Sequence, residues 1–542
     1  MKRLLAGLGT LLTIVAALSP GAAWALTDEE IFRDFRFNFI NPGARSLGLG
    51  GAFIAAADDA TAAEANPAAL HYIDQMEFFI EARDIRPETQ VIRPSQGTVG
   101  NVNTTIPFNT QPFFDPTIPG INPGNPDPFF LELQSVTNRA DQTLPSFVSF
   151  VFPFTFGARR ATVAVSRQIV LDVESTLTGD SPQNEPTALR FANNDTQTWT
   201  NDGTLPCAAA EQGMNQFYSV CNIATGSLDA EVIHNNLSFS WSFHQDFSIG
   251  LTATYATLDM KSLVNNVTQD PRGLFFSQNP RLDIGGGVLA DVTTQTFTDG
   301  SDTDFTYTIG VHWHPDSAFP QHPLSPVKFG LVYRKGESFA VQERVVDVDP
   351  ATGQLTDLRM PFDNIVRVPD RLGLGFSYDL ANHWTFSADI EYIEYSDLLE
   401  GFQTGVNFFT SQQLFNSFPE TAVQNLKFDV DDALVFQAGV EYFSFFRSGW
   451  GYALRAGYYS APDNRIRLTE VQAVDQSLTP AARARVEEIY KDVFRGAEDV
   501  DHITAGFSIN TPIGLQLQFA GDTSDVGDQF VVSAKYRFGK IR

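Results

Sequence analysis

Charged residues placed at alternating positions inside apolar runs are the first chemical signal in this sequence. Lys328, Arg334, Arg455, Lys535 and Arg537 occupy the polar row of period-two patterns, and Glu77, Glu81, Asp389, Glu391 and Glu441 do so with the opposite sign. Alternate residues of a strand share a face, and charges removed from water must pair. These ten residues therefore predict a salt-bridge web facing an interior. A cation left over could hold a carboxylate head group, a guanidinium through both oxygens; Lys328, Arg334 and Arg455 are the candidates.

Enzymatic chemistry finds little support. The eight His are scattered, and neither G-x-S-x-G nor H-E-x-x-H occurs. Asp299, Asp302 and Asp304 in TDGSDTD do not match calcium-loop spacing. The expectation is a chain with no catalytic residue, no cofactor and no metal. With 36 basic against 64 acidic residues and a formal charge of −28, nucleic acid is excluded as a partner, because phosphate contacts need Lys and Arg.

The elements that would position the charges are strands. Period-two alternation with an apolar outside and a mixed inside appears over residues 75–84, 144–153, 160–172, 231–243, 246–258, 304–313, 326–335, 370–380, 383–394, 432–443, 449–459, 501–510, 513–521 and 529–538. Tight turns such as 244–245 and 380–383 alternate with long segments: 85–143, 173–230, 259–303, 336–369, 395–431 and 460–500. Short turns on one rim and long loops on the other characterise outer-membrane barrels. The fold class expected is all-β, a 14-stranded antiparallel transmembrane β-barrel with long extracellular loops. Trp313, Tyr333, Tyr378, Trp384, Tyr392, Tyr442 and Tyr458 would sit at the interfaces, where amphipathic rings are favoured.

Residues 1–25 read as a secretory signal: Lys2 and Arg3, an apolar run from Leu4 to Leu18, then the small-residue site Ala23-Trp24-Ala25. Export fits a disulfide between Cys207 and Cys221, the two cysteines; two free thiols are the alternative. In the third strand Arg167 interrupts the apolar row Val163, Val165, Ile169, Leu171 and Val173. A bulge there would turn the guanidinium inward and bend the strand; otherwise the side chain snorkels to an interface. Loop aromatics, Phe275 and Phe276 with Phe408 and Phe409, suit either an apolar capture groove or the packing of a loop domain on itself. A helix opened by Thr479-Pro480 would lie over those loops.

Ten of the eighteen residues from Ala52 to Ala69 are Ala, so the segment is thin. Gly48, Gly50 and Gly51 give it backbone freedom, and Pro67 stops a short helix at Asn66. From the residues alone, a lumenal plug and a helix-turn that nucleates the first strand are equally open. The stretch GARSLGLGGAFIAAADDATAAEANPAAL, with its Asn66-Pro67-Ala68 triplet, resembles the N-terminal hatch of the FadL/TodX family of outer-membrane transporters for long-chain fatty acids and other hydrophobic compounds. VPDRLGLGFSYDLANHWTFSADIEYIEYSD from Val368 and LRAGYY from Leu454 are similar to strands of that family, and the Tyr333-Arg334 pair resembles a family pattern.

The resemblance implies a barrel plugged by a hatch over residues 26–74, with the barrel at 75–538 and a tail at 539–542. It implies Gly48, Gly50, Gly51, Asn66, Pro67 and Ala68 as hatch residues and a lateral exit at a kink in the third strand, with Arg167 the local candidate. The expected partners are fatty acids or hydrocarbons and outer-membrane lipid, for a monomer in the outer membrane of a Gram-negative-type bacterium. A barrel serving as a binding platform or secretion shuttle for protein ligands is the alternative.

Overall fold

The computed structural model describes residues 37, 39–91, 129–131, 136–139, 142–157, 159–177, 188–192, 217–269, 292–315, 326–348, 354–357, 361–381, 383–399, 426–462, 467–471, 499–525 and 527–539. The signal segment, Cys207, Phe275, Phe276, Phe408, Phe409 and the helix expected after Thr479 lie outside the described residues. Cys221 lies within a strand, its backbone paired with Ala188 and Gln269.

Fourteen antiparallel strands form a closed ring. They are β1 Met76–Val91, β2 Gln142–Phe156, β3 Arg159–Leu177, β4 Phe217–His244, β5 Phe247–Gln269, β6 Val292–Trp313 and β7 Val327–Arg334. The second half comprises β8 Arg371–Leu380, β9 Trp384–Ile393, β10 Ala433–Phe445, β11 Gly451–Ala461, β12 Val500–Asn510, β13 Leu515–Ser524 and β14 Gly527–Phe538. Each pairs with its chain neighbour, and β14 closes on β1 from Met76↔Phe538 to Pro87↔Gly527. Every strand expected from alternation is present. The lower rim carries tight turns, for example at 245–246 and 511–514; the upper rim carries the long connections.

Alternation sorts the wall. Outward rows are apolar and exposed: Leu237 and Phe239 on β4, Leu372, Leu374 and Phe376 on β8, Phe386 and Ile390 on β9. Such a surface is stable against hydrocarbon. Near the lower rim, rings follow one another around the barrel: Phe243–Phe247, Phe247–Trp313, Trp313–Phe329 and Phe329–Phe376 have centroids 6.1, 5.8, 5.4 and 5.5 Å apart. At the upper edge Tyr333, Tyr392 and Tyr458 each donate a hydrogen bond to an aspartate at a neighbouring strand end, Asp370, Asp432 and Asp501, at 2.6, 2.6 and 2.7 Å. Rings in the apolar band and hydroxyls tied at its edge mark the two membrane boundaries.

Besides a register shift between Glu81 and Arg83 where β1 pairs with β2, the described wall departs from regularity at further places. The β2–β3 ladder ends at Phe147↔Gln168, and opposite it the β3–β4 register shifts between Ile169 and Leu171, so Val170 has no rung. Between β7 and β8, residues Lys335 to Glu337 and Val368 to Asp370 interrupt the pairing at one level; it resumes between Ser338–Val348 and Phe362–Arg367, starting at Ser338↔Arg367. Between β6 and that upper strand, no rungs lie between Thr308↔Arg334 and Thr298↔Glu343.

Two expectations are corrected. Pairing runs unbroken from Val165 to Ile169 on the β4 side, so the bulge falls at Val170 and Arg167 is not flipped inward. Arg167 is exposed on the outer face, in one cross-strand row with Asn235, Tyr255 and Phe305. That row is where polar groups begin above the apolar band, so the guanidinium reaches an interface. The bulge instead splits the apolar row that contains it, leaving Val165 exposed and Leu171 buried inside. In addition, segments read as loops continue as strand: β4 begins at Phe217, β5 runs to Gln269 and β6 begins at Val292. Outward positions there, such as Asp229, Asp259, Lys261 and Ser301, are polar and exposed, so these strands rise above the apolar band.

Candidate functional site

Inside the lower half of the ring lies the segment from Asn41 to Ile73, almost wholly buried. It holds two short helices, α1 Ala44–Gly48 and α2 Ala62–Ala65, and a 3-10 turn, Pro67–Tyr72. Asn66 ends α2 in an extended conformation (φ −161°), as the following proline requires. Its side chain does three things: Oδ1 accepts from Ala68 N at 3.1 Å, and Nδ2 donates to Ile54 O and Val311 O, each at 3.2 Å. Asn66 thus caps the turn and ties the segment to β6.

The plug approaches the wall so closely because the wall lacks side chains there. Gly250 and Gly310 are cross-strand partners, as are Gly330 and Gly375, and Gly439 and Gly457. A Cβ on Gly457 would lie 2.1 Å from Gly50 N, and one on Gly310 would lie 2.1 Å from Asn66 Oδ1. Gly50, at φ 64°, seats the tight turn against β11. Paired glycines at inward positions were a signal available in the sequence, and the alternation reading did not use it.

Charges fasten the plug. Arg45 donates to both oxygens of Glu441 at 3.0 Å and to Asp58 at 2.5 Å; Arg455 donates to the same Glu441 at 2.5 Å and to Ser508 at 3.1 Å. Burial pushes the Asp58 carboxyl upward, but Arg45, Lys535, Lys328 and Arg537 together outweigh it and hold the group below the usual carboxylate range. Asp389 accepts from the amides of Phe53 and Ile54 at 2.6 and 2.8 Å. Arg537 meets Glu77 at 2.8 Å and Lys535 meets Asp59 at 3.5 Å. His71, whose Nδ1 must carry the proton it donates to Ala68 O at 2.9 Å, is pushed by burial down to about 4.

The three head-group candidates do not converge. Lys328 meets Asp379 at 2.9 Å near the lower rim, and Arg455 lies in the Arg45 network. Arg334 sits on top of the plug, donating to Glu391 at 3.0 Å, Asn41 at 3.2 Å, Glu64 O at 3.1 Å and Ala65 O at 2.6 Å. Each is engaged with a carboxylate. Charged pairs face the interior as alternation predicts, and many of their partners belong to the plug.

Above the plug the lumen turns apolar. Val170 and Leu171 of β3, Leu228, Ala230 and Val232 of β4, Ala256, Leu258 and Met260 of β5, and Phe339, Val341, Val366 and Val368 form one buried cluster. Phe37 and Phe39 stack within it, centroids 5.5 Å apart. An inward apolar surface in a barrel lumen, where polar residues are usual, suits an apolar solute. Its β3 members lie directly beyond the last β2–β3 rung.

No protein-family model and no curated protein sequence matches the chain. Among solved structures, a Pseudomonas aeruginosa FadL homologue matches at 13% identity over 93% of this chain and 99% of its own, with a TM-score of 0.50. The barrel has the fold of a FadL homologue. The Ralstonia pickettii toluene transporter TbuX, at 13% identity and TM-score 0.45, and the P. putida toluene transporter TodX, at 12% and 0.47, are similar across 93% and 92% of this chain and 100% and 99% of theirs. Within a barrel of this fold, the close-fitting segment Asn41–Ile73 fills the lower lumen and the apolar zone lies above it.

Proposed function

We propose that this chain is an outer-membrane channel that passes hydrophobic compounds inward passively, without a cofactor. A solute arrives from the upper loops, displaces Phe37 and Phe39, rests in the apolar zone, and leaves sideways between β2 and β3. One observation carries this reading: the apolar lining reaches the wall where the ladder stops, with Val170 and Leu171 adjoining the last rung at Gln168. A route through the seam leaves the plug in place, consistent with its dense fastening. Long-chain fatty acids are the cargo class expected from the sequence resemblance, and aromatic hydrocarbons are the next to test.

The experiment is uptake of labelled palmitate and labelled toluene by cells with and without the chain. A Ser146→Cys, Ile169→Cys variant joined across the seam by a cleavable thiol reagent is run alongside. Uptake should depend on the chain, fall when the seam is joined and return on cleavage. Equal uptake with and without the chain would sink transport; uptake indifferent to the joined seam would sink the lateral route alone.

A further inference from the structure

Three side chains at the floor of the apolar zone are not explained by plug docking. Gln168 of β3 and His234 of β4 are cross-strand partners facing inward, and Glu337 reaches His234, its Oε1 3.2 Å from Nε2. All three are more than nine-tenths buried, at 8%, 6% and 3% exposure. Yet Gln168 Oε1 and Glu337 Oε2 have no hydrogen-bond partner among the described residues, and His234 Nε2 has only its contact with Glu337 Oε1. Buried polar atoms are nearly always satisfied, so the two orphan oxygens beside His234 call for a ligand or water that supplies what they lack.

Their surroundings define that ligand. Ala256 lies opposite His234, Val232 and Phe339 are the next inward residues along the chain from His234 and Glu337, and Val170 and Leu171 follow Gln168; all five belong to the apolar cluster. Both orphan atoms, an amide oxygen and a carboxylate oxygen, can only accept, so the ligand must bring a donor; with His234 already beside Glu337, that donor need carry no charge. A carboxylate head would meet Glu337 rather than a cation. Arg334 has both terminal nitrogens engaged, leaving only Nε unpartnered, and Arg371 stacks on Phe39, 4.3 Å from its ring, beside Glu391.

We propose that Gln168, His234 and Glu337 form a head-group site for apolar molecules that end in a neutral O–H donor, the class of long-chain alcohols and alkyl phenols. The inference rests on the transport reading and narrows its cargo. The solute's hydroxyl donates to Glu337 Oε2 or Gln168 Oε1 while its apolar body lies against Val232, Leu258 and Phe339. A site built to bond a hydroxyl discriminates strongly against analogues without one.

The test measures binding of dodecan-1-ol, dodecanoate and dodecane to the detergent-solubilised full chain. The alcohol should bind about tenfold or more tightly than either. Glu337→Leu and, separately, Gln168→Leu should lower the alcohol-to-alkane ratio toward one while alkane binding persists, and Glu337→Gln, which keeps an acceptor, should retain most of the preference. Equal affinities in the parent protein, tightest binding of dodecanoate, or a ratio unmoved in both leucine variants would each overturn the assignment, leaving water as the partner of these atoms. Alkane binding and chain-dependent toluene uptake would then still stand, so failure here is separable from failure of transport. Absence of binding by all three probes would likewise overturn the assignment, while transport is decided by uptake.

Discussion

Gly457 has no room for a methyl group: a Cβ there would lie 2.1 Å from Gly50 N and 2.4 Å from Leu49 C, both backbone atoms. Backbone cannot swing aside as a long side chain can, so Gly457→Val should unseat this edge of the plug while the strand still pairs. In planar bilayers the variant should conduct ions where the parent protein is closed. Gly521→Ala, whose nearest neighbour would be Gln529 O at 3.9 Å, should remain closed. A closed Gly457→Val would mean that the plug is held elsewhere. His71 makes a pH-dependent contribution of known sign. Burial holds its folded pKa at about 4, below the ordinary value of about 6.5. The released state therefore binds more protons between those values, and docking weakens as pH falls from about 6.5 to about 4, by at most about 3 kcal/mol. Protease susceptibility of the plug should rise over that window and stay flat in His71→Gln; a rise of equal size in the variant would assign the effect to another group. Alternation was enough to place Glu441, Asp389 and Arg334 inside. It could not supply their partners, because Arg45, Phe53 and Ala65 come from a segment whose docking is set by wall glycines on strands hundreds of residues away.

The strands show the same division between what is local and what is not. A period of two is local, so all fourteen were legible; where a ladder stops is decided between strands and was not. Arg167 marked the right strand for the wrong reason: its charge is accommodated at the polar row with Asn235 and Tyr255, and the bulge that reverses the face lies three residues on, at Val170. The rungless stretch between β6 and the upper strand Ser338–Val348 had no sequence signal that alternation could detect, since TDGSDTD reads as an acidic loop. There Asp304 and Asp302 accept from the amides of Ser338 and Ala340 at 2.9 and 2.7 Å, so carboxylates stand in for missing main-chain acceptors. The contacts are exposed, and water can replace them once lost, at a net cost of about 1 kcal/mol or less per bond. Asp302→Ala with Asp304→Ala should therefore leave the barrel folded but speed hydrogen exchange at Ser338 and Ala340 relative to Phe339, which pairs with Val366. Uniform exchange across the three amides would show that the carboxylates do not hold this edge.

At the scale of the whole molecule, the barrel's orientation follows from where its outer face changes character. On β9 the outward row runs from Trp384 at the lower rim to Tyr392 at the upper edge. At about 3.3 Å per residue this is about 26 Å along the strand, and a tilt of about 40° reduces it to about 20 Å along the membrane normal. The position of Arg167 agrees: it shares the Asn235–Tyr255 row, with Val165 and Leu237 exposed and apolar one step below. A cation is costly in proportion to depth, about 2–4 kcal/mol at the midplane and about 0–1 near an interface. Phe239→Arg, two outward positions below Asn235 on β4, should thus lose about 2–4 kcal/mol of folding free energy in denaturant titrations from lipid vesicles. Asn235→Arg, beside the existing cation and at the boundary, should lose about 1 kcal/mol or less. Equal losses would place both residues at one depth and move the membrane upward past Arg167, leaving its guanidinium in hydrocarbon and the β2–β3 seam below the outer boundary. The difference between the two variants therefore measures whether the seam lies within the apolar leaflet or at its surface, and so whether the proposed lateral route would release a solute directly into lipid.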